Sequence, residues 1–127
     1  MVEHEGWEEG YGAAVRDVFA SVPHAAVAWI SLGSLRLTPS LERRIRGRGG
    51  AQRVLAGELV AGTDGKSRVW LGLRMRMYRF VAGLIREAAP EVPIYLCMEN
   101  AGVWDRVMGE IPTDRALGLR LASGTAW

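Results

Sequence analysis

Cysteine occurs once in these 127 residues, as Cys97, and histidine twice, as His4 and His24. A single thiol cannot close an internal disulfide, nor can it supply the thiolate set that holds an iron–sulfur cluster. With only two histidines beside that cysteine, a zinc site is not expected. Long apolar runs are missing as well, since none reaches the roughly 18 residues of a membrane span. The opening Met1-Val2-Glu3-His4-Glu5 is acidic where a secretory leader would be basic, so a cytoplasmic protein with no membrane contact is expected.

What is present reads as globular. An apolar fraction of 49% against 24% charged residues provides enough material for a core and argues against a disordered chain. The length suits one domain but falls well short of the roughly 250 residues of an eight-unit barrel. Charge is unevenly spread. Residues 1–35 sum to −4, residues 36–86 to +9 and residues 87–127 to −3, leaving +2 for the whole. A strongly basic middle inside a nearly neutral chain points to a localised phosphate-facing surface, the alternative being an arginine-rich solvated face.

That basic middle contains a hairpin signal. In the stretch that starts at Arg53, Val54-Leu55, Leu59-Val60 and Ser67 to Leu71 are β-prone, and between the last two Asp64-Gly65 supplies turn chemistry. Lys66 and Arg68 sit just past the turn, where they can project outward as a basic fingertip. Directly after it, Arg74, Arg76 and Arg79 interleave with Met75, Met77, Tyr78 and Phe80 as a helix begins. Lys66, Arg68, Arg74 and Arg76 are therefore the candidate DNA-binding residues. Three arginines at 74, 76 and 79 cannot all face one way, so one or two are expected to reach phosphate.

Elsewhere the pattern alternates helix and strand. Trp7, Tyr11, Ala14, Val15, Val18 and Phe19 form one stripe of an amphipathic helix over residues 7–20, ended by Pro23. Residues 25–32, AAVAWISL, read as a strand covered on both faces. Thr38-Pro39 opens a brief helix that the glycines at 47, 49 and 50 close. Residues 74–89 give the longest helix, residues 94–98 a second buried strand, and residues 103–108 a short helix. The segment from Gly118 on lacks a clear pattern, and residues 113–127 are expected as loop or tail. Trp29 and Trp104 are assigned to the core, and Cys97 is expected as a small buried hydrophobe.

This order is that of α/β units on a parallel sheet, whose functional groups collect at the strand C-terminal ends. Ser31, Ser34 and Arg36 would line one mouth with Glu99 and Asn100. Glu99 could contact a ligand there or serve as a cap or ion-pair partner, and His4 is a weaker candidate. Two parallel strands do not make a stable sheet alone. Residues 1–127 are accordingly expected to form a single incomplete domain, part of something larger.

Four segments together, ISLGSLRLTP at 30–39, GTDGKSR at 62–68, RMRMYR at 74–79 and IYLCMEN-x-x-VW at 94–104, resemble the C-terminal part of the spore photoproduct lyases. Residues 4–11, HEGWEEGY, resemble the segment that precedes it in that family. The resemblance runs from about residue 4 to about residue 110. It implies the C-terminal fragment of a partial (β/α) barrel with an inserted β-hairpin, from a radical S-adenosylmethionine enzyme that repairs a thymine–thymine lesion in DNA. In the family a 4Fe–4S cluster on a CxxxCxxC motif cleaves S-adenosylmethionine, and a nearby cysteine donates hydrogen. Both features belong to the N-terminal half. The chain alone lacks the cluster motif, so it is expected to bind neither cluster nor cofactor and to be inactive unless that half is supplied, a separately encoded N-terminal half being one such partner. The family hairpin carries a basic residue followed by an aromatic one beside the lesion. Arg68 matches the basic position, Val69 stands in the aromatic one, and Trp70 follows. A stand-alone nucleic-acid-binding module and a gene fragment with no function of its own are the alternative readings.

Overall fold

In the computed structural model, residues 1–48, 55, 59–62 and 64–124 are described. The glycines at 49 and 50, Arg53, Val54 and Thr63 of the expected turn lie outside the described residues.

Helix α1 spans Trp7–Ser21. It is followed by a single 3-10 turn at His24–Ala26 and by β1, Ile30–Leu32. The long apolar strand expected from residue 25 is thus confined to its last three residues. Pro23 sets up the tight turn, and the Val27 N–H is taken by His24 O at 2.9 Å, so the alanines beside it never reach the ladder. Strand β2 is the short Arg36–Leu37. Helix α2, Pro39–Arg46, starts as expected, with Thr38 Oγ1 accepting from the Leu41 N–H at 3.2 Å and Pro39 in the first turn. Gly47 ends it.

Strands β3, Leu59–Ala61, and β4, Ser67–Val69, form the expected hairpin. Gly65 has φ +71°, a left-handed backbone that glycine adopts without strain. The Gly62 N–H closes the turn onto Lys66 O at 2.8 Å. Helix α3, Leu71–Ala88, begins three residues before the expected Arg74, because the chain turns directly from Val69 through an extended Trp70. Strand β5 is Ile94–Leu96, and α4 is Ala101–Met108, capped by the Asn100 side chain on the Val103 N–H at 3.1 Å.

The expected tail is in fact helical. Helix α5 covers Asp114–Ser123, with Thr113 Oγ1 accepting from the Ala116 N–H at 3.2 Å and Gly124 closing it at φ +66°. Its caps were legible, but it buries no residue fully and so lacks the apolar stripe that would have announced it.

The fold is α/β. β1 and β5 pair in parallel, Ile30 opposite Ile94 and Leu32 opposite Leu96. β2, β4 and β3 make a separate antiparallel sheet in that order. No closed barrel is present among the described residues. Helix α3 lies at the centre, with α1 and α4 both packed on it. The core joins Leu32, Ile94 and Leu96 of the parallel strands to Tyr78, Val81 and Ile85 of α3 and to Val103 and Trp104 of α4. Trp104 is buried as expected, but Trp29 is 44% exposed. It stands just before β1 and packs edge-on against Tyr95 with ring centres 6.4 Å apart, outside the core. Among the described residues no helix is long and apolar enough to cross a membrane.

Candidate functional site

The parallel strands end side by side, and the segments that leave them enclose a cavity. Gly33 to Arg36 come after β1, and Cys97 to Glu99 come after β5. Arg68 enters from the hairpin, and Met1 and Val2 close one side of a hollow of about 380 Å³. Two of its walls are held by backbone bonds: the Cys97 N–H to Leu32 O, and the Leu35 N–H to Met1 O, both at 2.8 Å. Met98 has φ +61°, a left-handed geometry uncommon for a side chain of its size. Met98 is 62% exposed, and its carbonyl accepts from Arg36 Nη2 at 2.8 Å.

Arg36 and Arg68 stand directly opposite each other in the β2–β4 register. The adjacent Leu37 and Val69 point to the other face and are buried. Like charges across a strand pair repel. Here each guanidinium is drawn away by a separate acceptor, Arg36 by the Met98 carbonyl and Arg68 by Asp64. The Arg68 Nε is buried without a hydrogen-bond partner.

Asp64 clamps the fingertip. Its Oδ2 lies 2.5 Å from Arg68 Nη2 and 3.9 Å from Lys66 Nζ, and its Oδ1 accepts from the Lys66 backbone N–H at 3.3 Å. Partial desolvation pushes the Asp64 carboxyl up, yet the Lys66 N–H and the charges of Arg68 and Lys66 outweigh it and hold the group below the usual range. Gly62 makes the arrangement possible, because a Cβ there would fall 2.7 Å from Arg68 Nη1 and 2.9 Å from Asp64 Oδ1. The expected outward fingertip is therefore a pair of cations folded back onto one carboxylate.

The floor of the site is a buried polar network. Arg74 is 7% exposed, and its Nε lies 3.2 Å from Glu99 Oε1, forming an ion pair whose geometry falls short of an aligned hydrogen bond. Tyr78 donates its O–H to Glu99 Oε1 at 2.8 Å and accepts the Ser34 N–H at 3.0 Å. Burial, with the Glu99 carboxylate adding to it, pushes the Tyr78 phenol up to about 12. The network ties the ends of β1 and β5 to α3.

Comparison with protein-family models, curated proteins and solved structures found no match.

The structure thus brings together Ser34, Arg36, Glu99 and Arg68. Of the other residues read from sequence, Lys66 stays on the hairpin, while Arg74 lies inside the protein beneath the site, where it faces Glu99 and not solvent. Arg76 sits on the far side of α3, ion-paired to Glu8 with its guanidinium 5.6 Å over the Trp7 ring. Arg79 donates from Nε and Nη2 to the Arg106 carbonyl at 3.1 and 2.8 Å, fastening α3 to α4. Ser31 is exposed on β1, Asn100 is spent on the cap, and His4 contacts the Glu5 carbonyl at 2.7 Å. Trp70 is 52% exposed, and its indole lies so close over Gly72 that a Cβ there would collide with it. Val69 is buried, so the position after Arg68 offers no side chain to a ligand. Tyr78 and Asp64 were missed as members of the site. The only signal for Tyr78 was its place on the buried face of α3, which reads as plain core, and Asp64 read as a turn former.

Among the described residues no cluster of His, Cys, Asp and Glu could hold a metal ion. One cysteine in the sequence also does not fit a cluster that needs several thiolates. Chemically, the cavity offers two guanidiniums and the Cys97 thiol, while its carboxylate Glu99 is already engaged by Arg74 and Tyr78.

Proposed function

We propose that this chain is the DNA-contacting C-terminal part of a spore photoproduct lyase-like enzyme that repairs thymine lesions in cytoplasmic DNA. The cluster and S-adenosylmethionine chemistry would then reside in a separate N-terminal half. One observation supports this reading above the others. Three segments that carried the resemblance, around residues 33–36, 68 and 97–99, converge on one cavity at the C-terminal ends of parallel strands. That is where (β/α) enzymes place their ligands.

In this reading Arg36 and Arg68 receive the charged backbone flanking the lesion, and the Arg74–Glu99–Tyr78 network fixes the strand ends that shape the pocket. Arg74 acts by positioning and does not touch DNA. A second reading, nucleic-acid binding without chemistry, is favoured by the engagement of Glu99 with Arg74 and Tyr78, since it is the one carboxylate among the described cavity residues.

Fluorescence anisotropy with a duplex carrying the thymine lesion, set against the same duplex intact, tests the proposal. Preference for the damaged duplex, lost in Arg68→Ala, supports the repair reading. Equal affinity for both in the wild type, with an N-terminal radical half supplied, removes it and leaves the simple binding module. No binding to either duplex removes both readings.

A further inference from the structure

Most cations expected to contact DNA are already paired with carboxylates of the protein. Asp64 holds Lys66 and Arg68, Glu99 holds Arg74, and Glu8 holds Arg76. Helix α2 is different. Between positions 42 and 48 the helix and the residues just past its end carry four arginines against one glutamate. Glu42 is taken twice: Arg46 Nη2 approaches its Oε1 to 2.6 Å, and the Ser67 hydroxyl donates to its Oε2 at 2.8 Å. The Arg46 and Ser67 hydrogen bonds hold the Glu42 carboxyl below its usual range, so it stays charged and stays engaged.

Arg43, Arg44 and Arg48 are exposed, and none has a carboxylate partner among the described residues. Arg43 makes only an intrahelical bond, from Nε to the Pro39 carbonyl at 3.3 Å, so its terminal nitrogens remain available. Ser40, Arg43 and Arg44 stand at i, i+3 and i+4, hence on one face, where they line an open hollow of about 330 Å³. Ser40 Oγ shares a hydrogen bond with Thr38 Oγ1 at 3.1 Å, and the two guanidinium forks beside it make a donor set that matches phosphate oxygens. The Glu42–Ser67 bond fixes this face relative to strand β4 and so to the cavity that Arg68 enters.

We infer that the arginine face of α2, Arg43 and Arg44 with Arg48 just past the helix end, binds the sugar–phosphate backbone of duplex DNA beside the strand-end cavity. This rests on the DNA-contacting reading above and assigns its backbone anchor to residues outside the hairpin. A membrane surface fits less well. An interfacial helix needs a broad apolar face, and the exposed part of α2 offers Leu41 alone as a large apolar side chain. Contacts of this kind carry no sequence information, so they set affinity and orientation and leave lesion choice to the cavity.

The test is anisotropy of a labelled intact duplex with the full chain over about 50 to about 200 mM salt. Arg43→Ala/Arg44→Ala should lower the slope of log K against log salt by about 1.8, making its affinity deficit roughly tenfold greater at the low-salt end than at the high-salt end. Arg43→Lys/Arg44→Lys keeps both charges and should retain most of the slope, which separates loss of contact from loss of fold. Arg16→Ala/Arg115→Ala removes the same net charge from α1 and α5 and should leave the slope within a few tenths. A wild-type slope in the double alanine variant overturns the inference while the DNA reading stands. So does a deficit seen only with vesicles of anionic phospholipid. Absence of duplex binding by the wild type overturns the DNA reading and this inference together.

Discussion

Arg74 and Glu99 face each other inside the protein, Nε to Oε1 at 3.2 Å, with both side chains less than one-tenth exposed. The pair joins the middle of the central helix to the end of a parallel strand. Removing one member strands the other's charge in a poorly solvated place. Arg74→Met should therefore destabilise the fold by about 3 to 5 kcal/mol in urea unfolding. Combining it with Glu99→Gln should recover much of that loss, because the glutamine still accepts from Tyr78 and no buried charge is left. If the cost of the double variant equals the sum of the costs of Arg74→Met and Glu99→Gln measured singly, the pair is not coupled.

Tyr78 sets a high-pH limit. Its phenol is raised to about 12 chiefly by burial, against about 10 in an unfolded chain. Between those values the unfolded state has released the proton that the native state retains, so stability falls as pH rises. The contribution is fully present below pH about 10 and amounts to roughly 2 to 3 kcal/mol lost by pH about 12. Spectrophotometric titration should show a late phenol ionisation from Tyr78. Tyr78→Phe should remove that late step and flatten this part of the stability profile.

Asp64 restrains the hairpin. Asp64→Asn keeps a side-chain oxygen for the Lys66 N–H but gives up the charge that holds Lys66 and Arg68. Duplex affinity should rise and the salt slope should steepen by about one to two phosphate equivalents. Unchanged slope in the anisotropy series would mean that these cations stay folded back for other reasons.

Two glycines should respond in opposite directions. Gly83 lies within α3, and a Cβ there would meet nothing within 4 Å. Gly83→Ala should stabilise by about 0.5 to 1 kcal/mol through helix propensity. Gly65 sits at φ +71°, where the same change forces a left-handed alanine and should destabilise by about 1 kcal/mol or more. Thermal melts of the two variants on either side of wild type would confirm both assignments.

Much of the fold was legible because its signals are local. The Thr38-Pro39 helix start, the Asp64-Gly65 turn and the stripe of α1 all depend on neighbours in sequence. What escaped depends on partners far apart along the chain. Residues 25–29 have strand-like composition, but a strand exists only where a neighbour offers a ladder, and β5 meets β1 at three positions. The mouth residues Ser34, Arg36 and Glu99 followed from the rule about strand ends and do come together. Arg74 illustrates the opposite case, because a basic residue at a helix start reads as surface until a carboxylate some 25 positions later is folded against it.

The facing of Arg36 and Arg68 has a mechanical consequence. Two strands that repel at their shared register position are held by backbone ladder bonds and by acceptors that pull each guanidinium aside. An anion settling between them would reverse the sign of that contribution and reinforce the ladder from within. Occupancy and strand adhesion then become two readings of one equilibrium, since a ligand that favours the paired state stabilises it by mass action. Amide hydrogen exchange at Leu37 and Arg68 should slow as phosphate is added, making the small antiparallel sheet a gauge of whether the cavity is filled.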